Sequence, residues 1–305
     1  MNGQRINIMS ASRRRYDLLQ KRLDQFTRML HGLAEGDVSA LHRTRVATRR
    51  LREILPVLQL KPDLVERLGR RLKKVTARLG PVRELDVLAE LVDELQESGR
   101  HDAQVLRRVT AALSGERREA REHLYAKLPT GELQRIGGKL EKIAIDLQER
   151  KPSREWRWAV DARVSRRAAT VTHALDEAGS LYVPERLHHV RIALKKLRYA
   201  LEVASESAGG KSTPDITTLK RHQDILGRLH DLQVLMERVR QIQPSLALPD
   251  VTMWRRVDAL LTTLENDCRR LHAKFMHQQN SVRAICERVS RASEADAPPR
   301  PAVAS

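Results

Sequence analysis

Apolar residues recur at intervals of three and four along almost the whole chain, and strict two-residue alternation is nearly absent. That period belongs to amphipathic helices. Glycine and proline fall between the periodic stretches, where they punctuate helices. The pattern predicts helices over about Ser12–Ala34, from a cap at Asp37 or Ser39 to Val57, from Pro62 to near Gly80, from Val82 to Gly99, and over Asp102–Lys127 and Gly131–Glu149. After Lys151-Pro152-Ser153 the programme restarts, with helices over Glu155–Ala178, Pro184–Ser207, Pro214–Leu226, Leu229–Ile242 and Asp250–Arg291. The expected fold class is all-α. Residues 292–305, rich in proline and small side chains, are expected to form a disordered tail.

Two segments are written twice. Leu41, His42, Arg45, Val46, Ala47, Arg49, Arg50, Leu51 and Arg52 return as Leu187, His188, Arg191, Ile192, Ala193, Lys195, Lys196, Leu197 and Arg198, in the spacing L-H-x-x-R-[VI]-A-x-[RK]-[RK]-L-R. A second motif, L-G-x-x-[RH]-[ED]-L-x-V-L, runs from Leu79 to Leu88 and again from Leu226 to Leu235, its offset one residue longer. The same motifs in the same order predict two homologous helical bundles, residues 1–150 and 151–291, related by a pseudo-two-fold axis. In this reading Gly80 and Gly227 are helix C-terminal caps.

Charge sharpens the picture. The formal net charge is +18, an excess of cations that favours phosphate-rich partners. Aromatic residues make up only 3% of the chain, which counts against a single-stranded nucleic-acid binder that stacks bases. Cys268 and Cys286 are the only cysteines, too few for a disulfide framework, and point to a reducing compartment. No run approaches the roughly 18 apolar residues of a membrane span, and residues 1–15 lack an apolar signal core, so a cytoplasmic protein with no membrane partner is expected.

On a helix, His42, Arg45, Arg49 and Arg52 fall within an arc of roughly 80°. The opposite side carries Thr44, Ala47, Thr48, Leu51, Ile54, Leu55 and Leu58, a core face. The second copy divides the same way, with His188, Arg191, Lys195 and Arg198 on one stripe and Ala193, Leu194, Leu197, Ala200 and Leu201 on the other. Neighbouring like charges repel by a few tenths of a kcal/mol per pair. Keeping them together twice points to an anionic ligand, gripped through forked contacts to phosphate oxygens. Metal binding fails on ligand count, because no cluster with metal-ligand spacing adjoins either histidine and the arginines repel a cation. No cofactor is expected. Lys73 and Lys220 match across the repeat and face either ligand or solvent. Glu84 and Asp231 also match; they either complete a helix N-terminus or pair with an arginine of the seam.

The paired motifs resemble the CHAD family, the conserved histidine α-helical domain, over about Tyr16 to Arg288. The resemblance implies two four-helix bundles around a basic central groove or pore, binding inorganic polyphosphate, or phosphate or sulfate in its place. Family members are associated with polyphosphate granules and are sometimes fused to, or encoded near, triphosphate-processing CYTH domains. Carried over by position, the phosphate-binding residues are His42, Arg45, Arg49, Arg50 and Arg52, with His188, Arg191, Lys195, Lys196 and Arg198 opposite, to which Lys73 and Lys220 are added. Arg83-Glu84 stands where the family usually has Arg-Asp, and Lys195-Lys196 replaces the double arginine. The Glu-x-Glu-x-Lys signature of a CYTH triphosphatase does not occur.

The function expected is non-enzymatic binding of inorganic polyphosphate, in the cytoplasm and on polyphosphate granules, with polyphosphate-metabolising enzymes as further partners. Two alternatives stay open: binding to the phosphate backbone of DNA, although no helix-turn-helix or RNA-recognition signature is present, and service as an accessory module of a polyphosphate- or triphosphate-processing enzyme. A phosphohydrolase would need a carboxylate-held metal or a nucleophile aimed at phosphorus, and the seam supplies only cations.

Overall fold

The computed structural model describes residues 2–127, 130–149, 156–210, 213–247 and 251–295. Among them are ten α-helices and no strand: α1 (Asn2–Ala34), α2 (Val38–Ile54), α3 (Pro62–Arg78), α4 (Gly80–Glu97), α5 (Ala103–Ala126), α6 (Thr130–Glu149), α7 (Trp156–Ala178), α8 (Pro184–Ser207), α9 (Pro214–Ala247) and α10 (Val251–Ala295). The all-α expectation holds. The local chemistry of the ends follows the sequence closely. The Asp37 carboxylate accepts the Ser39 N–H at 2.8 Å and caps α2. Asp102 caps α5 by accepting the N–H groups of Gln104 and Val105 at 2.8 and 3.0 Å. Pro62 and Pro184 open α3 and α8, where a missing N–H leaves no bond unmade. Gly36, at φ +86°, makes the left-handed turn from α1 into α2.

Several boundaries differ from the expectation: α1 starts at Asn2 and not near Ser12, and α9 reaches Ala247 and not Ile242. The break predicted between Leu226 and Leu229 does not exist, because α9 runs straight through Gly227. In the first copy the equivalent stretch does break, between α3 and α4. The difference lies one residue beyond the glycine. Pro81 has no N–H to donate back to the Ala77 carbonyl, whereas Arg228, at the matching place, keeps its N–H. Neither Gly80 nor Gly227 adopts a positive φ, so neither is the left-handed cap that the sequence predicts. At the other end, α10 continues to Ala295, past the expected start of the tail at 292; residues 296–305 lie outside the described ones.

Packing closes two rings of four. Helices α1, α2, α3 and α6 pack around one apolar core that includes Leu19, Phe26, Leu41, Leu51, Leu72 and Ile136. Helices α7, α8, α9 and α10 pack around another that includes Val171, Leu194, Leu197, Leu235, Leu264 and Phe275. The hairpin α4–α5 sends Leu88, Leu91, Val105 and Leu106 into the second core, although it precedes residue 150 in the chain. The sequence repeat therefore divides near 150, while the cores divide differently. The predicted core face of α2 is buried throughout, from Thr44 and Ala47 to Ile54 and Leu58. So are Ala193, Leu194, Leu197 and Ala200 of α8, with Leu201 partly buried against the same cluster.

Charged side chains join the two rings. Glu53 of α2, only 7% exposed, accepts from Arg163 at 2.9 Å and Arg167 at 3.0 Å, both on α7. Lys21 and Arg22 of α1 pair with Glu206 of α8. These contacts bring α2 directly against α8, so the two copies of the first motif face each other. Among the described residues no helix is long and apolar enough to cross a membrane.

Candidate phosphate-binding site

Where α2 meets α8, with α4 and α9 completing the walls, there is a cavity of about 400 Å³. Its lining includes His42, Arg45, Arg49, Arg50 and Arg83 from the first half and Arg191, Lys195, Arg198 and His230 from the second. Four of these cations, Arg45, Arg49, Arg191 and Lys195, make no ion pair among the described residues. They are two matched pairs of the repeat, Arg45 with Arg191 and Arg49 with Lys195.

Their protonation records the crowding. Burial, then Arg49 and Arg191, pushes the Lys195 ammonium down to about 7. Burial and Arg49 bring Arg45 down to about 10, and burial also lowers Arg49 and Arg191. The cause common to all four is a charged form taken partly out of water, to which other cations add for Arg45, Arg49 and Lys195. His42 is lowered by burial and by Arg83. His230 falls to about 4 through burial and the charge of Arg191. Such an assembly is unfavourable as it stands and becomes favourable once an anion fills it.

Glycine creates the room for this arrangement. A Cβ built on Gly80 would lie 3.3 Å from Nη1 of Arg45, and one on Gly227 would lie 3.9 Å from Nε of Arg191. The repeated glycines are thus floors under the repeated arginines. The two contacts predict different outcomes. Gly80→Ala should shift the Arg45 guanidinium by a few tenths of an ångström and weaken anion binding several-fold. Gly227→Ala meets only ordinary contact and should stabilise α9 by about 0.8–1 kcal/mol, with binding nearly unchanged. Anion titration and urea unfolding of the two variants check this.

Glu84 and Asp231 sit on the cavity wall and face the arginines, Glu84 acting on Arg45 and Asp231 on Arg191. Neither sequence reading is met as a contact, since neither carboxylate forms an ion pair with an arginine of the seam among the described residues. Asp231 lies within α9, and Glu84 lies beyond the first turn of α4. Burial nevertheless raises the Asp231 carboxyl, against the pull of Arg191 and Arg228. Tyr199 is the only aromatic phenol on the wall, and its ring is covered by guanidinium groups, with Arg198 Cζ at 4.6 Å and Arg50 Cζ at 5.9 Å from its centroid.

Comparison with known proteins agrees with this geometry. The CHAD domain family profile matches residues 17–240. The chain belongs to the CHAD domain family. Two solved structures overlay most of it. The crystal structure of the CHAD domain from the plant Ricinus communis covers 94% of this chain and 92% of its own, at 20% identity and a TM-score of 0.57. PptA from Streptomyces chartreusis covers 93% of this chain and 99% of its own, at 17% identity and a TM-score of 0.54. At these identities the likeness speaks for the fold. No match to this chain was found among curated proteins.

Seven of the residues that the sequence singles out line the central cavity of this CHAD chain: His42, Arg45, Arg49, Arg50, Arg191, Lys195 and Arg198. Five do not. His188 lines an adjoining cavity of about 590 Å³, where its Nδ1 stands 3.3 Å from Nδ1 of His230. Burial and Arg191 lower its imidazole. Lys73 and Lys220 are exposed and line neither cavity. Arg52 and Lys196 lie instead near the Glu53–Arg163–Arg167 cluster, where burial and Arg167 lower Lys196. Here the helical wheel misleads because α2 and α8 cross, and only part of each stripe faces the other helix.

The same wall holds residues that the first motif could not show: Arg83, His230, Tyr199 and Gln223. Arg83 and His230 occupy the [RH] position of the second motif, so the repeat carried their signal. Gln223 accepts from Arg198 Nε at 2.9 Å, and nothing in the sequence marks it. Among the described residues of this CHAD chain, no group of three or more His, Cys, Asp or Glu side chains could hold a metal ion.

Proposed function

We propose that this chain binds inorganic polyphosphate in the central cavity and does no chemistry on it. The observation that carries this reading is the quartet Arg45, Arg49, Arg191 and Lys195, half-buried together with no ion pair among the described residues, although Glu84 and Asp231 act on Arg45 and Arg191 from beyond ion-pair distance. A phosphate chain supplies closely spaced negative oxygens that suit forked cations. It also carries no bases, and the one aromatic ring on the wall is already occupied by Arg50 and Arg198. A recess of about 400 Å³ between four helices admits a linear phosphate chain more readily than base pairs. Among the described residues no serine, threonine or cysteine lines it, and its two acidic side chains face arginines. Phosphate or sulfate ions would occupy the same positions singly. A binder of this kind belongs on polyphosphate granules, beside the enzymes that make or degrade the polymer.

The test is a comparison of long-chain polyphosphate, pyrophosphate and duplex DNA at moderate salt. Polyphosphate should bind tightest and lose affinity steeply with salt as counterions are released. Equal affinity for all three would overturn a dedicated site, and resistance of bound duplex to excess polyphosphate would favour DNA. Release of phosphate in the presence of Mg²⁺ or Mn²⁺ would overturn the non-enzymatic part of the reading.

A further inference from the structure

Arg50 lines the central cavity and also two neighbours that lead away from it, and the charges in those two directions are opposite in character. One neighbour, of about 350 Å³, lies beyond His42 and Val46 between α1 and α2. Its wall carries Arg28, Arg43 and Arg50 and no carboxylate. The other, of about 300 Å³, lies between α1 and α8, and carries Lys21, Arg22, Arg50, Glu202 and Glu206. There the cations are taken. Glu202 holds Arg198 with one oxygen and Arg50 with the other, at 3.4 Å for Arg50. Glu206, one turn further along α8, holds Arg22 and, at 3.3 Å, Lys21. The unpaired quartet ends where these two carboxylates begin.

We propose that Glu202 is an acidic stop at one end of the cationic track, a specificity-determining residue that limits how a polyanion chain can leave the cavity. It occupies the fork between Arg50 and Arg198 as an internal anion, one arginine from each half of the repeat. A phosphate entering that fork has to displace a carboxylate already matched to both guanidiniums, and the next group it meets is Glu206. Over Arg28 and Arg43 no carboxylate stands on the cavity wall among the described residues, and Asp37, which acts on Arg43, is engaged in capping α2. A bound chain therefore leaves on the α1–α2 side, and the track has one open end. A ligand short enough to sit on the quartet never reaches Glu202, whereas a long chain does, so the residue acts on length.

The inference rests on the polyphosphate reading, and titrations with tripolyphosphate and long-chain polyphosphate separate the two. In Glu202→Gln the fork keeps a hydrogen-bond acceptor of the same shape but loses the competing charge. Long-chain binding should tighten about tenfold relative to tripolyphosphate. Glu206→Gln, which leaves the fork intact, should move the ratio the same way by less, and it carries the test if Glu202→Gln lowers the melting temperature. Arg28→Gln with Arg43→Gln should weaken the long chain more than tripolyphosphate. An unchanged ratio in Glu202→Gln, or equal weakening of both ligands, overturns the stop and leaves Glu202 as a residue that positions its two arginines. Failure of the unmodified chain to bind either ligand overturns the polyphosphate reading itself.

Discussion

Replacing Arg45 and Arg191 together with glutamine is expected to weaken polyphosphate binding about a hundredfold or more while helix content stays unchanged. Both guanidiniums line the central cavity, neither has an ion-pair partner among the described residues, and they stand at matching places of the repeat. Losing one charged contact to a buried anion typically costs about 2 kcal/mol or more, and here two are lost from a quartet. Glutamine is preferable to glutamate, since a reversed charge would stand against Glu84 and Asp231. Folding should not suffer, because each removed cation was repelled by its neighbours. The control is Lys73→Gln with Lys220→Gln, which removes the same formal charge from exposed positions away from the cavity. Affinity for polyphosphate in the control should stay within about twofold, as expected for screened surface charges. Equal losses from the two double variants would show that binding follows net charge and has no defined site. Isothermal titration and far-ultraviolet circular dichroism on both proteins provide the readout.

The second large effect is on pH. Lys195 titrates at about 7 in the free protein, far below an ordinary lysine, because burial and the flanking Arg49, Arg191, Arg45 and Lys196 disfavour its charge. Bound phosphate reverses that balance and raises the value. Above pH 7, binding then takes up a proton, and affinity should fall by up to about tenfold per pH unit between pH 7 and 9. Below pH 7 the lysine is already charged and contributes no slope. His42, lowered in the free state, adds proton uptake on the acid side. For the ligand-free protein the sign is opposite. The unfolded chain holds the Lys195 proton to higher pH than the folded one, so folded stability rises with pH from about 7 toward the ordinary lysine value. Lys195→Arg should flatten the binding slope above pH 7, as its side chain stays charged throughout. A slope that survives this substitution would assign the proton to another group.

Much of the fold was legible because helix periodicity, proline and capping residues act locally. Asp37, Asp102, Pro62 and Pro184 mark helix starts from their own chemistry, whatever the tertiary structure does. Gly227 shows where that ends. Symmetry with Gly80 carried a helix break into the second half, although the residue that does the breaking, Pro81, is not repeated there. The site was legible to the extent that the repeat marked it. Arg45, Arg49, Arg191 and Lys195 came directly from it, and Arg83 and His230 were present in the second motif without a role. Glu53, Glu202 and Gln223 were not legible at all. Each acts on a side chain of another helix, and nothing in its neighbours announces that partner. Arg52 and His188 stand outside the central cavity for a related reason: one stripe of a helix does not reveal which part of it another helix faces.

Pro81 also has a mechanical consequence. Its missing N–H leaves a joint between α3 and α4, while the matching stretch of α9 is one uninterrupted rod of 34 residues. The two walls that carry Arg83 and His230 therefore differ in stiffness. An anion that drew the walls together would move α4 about Leu79 and Gly80 and leave α9 as the anvil.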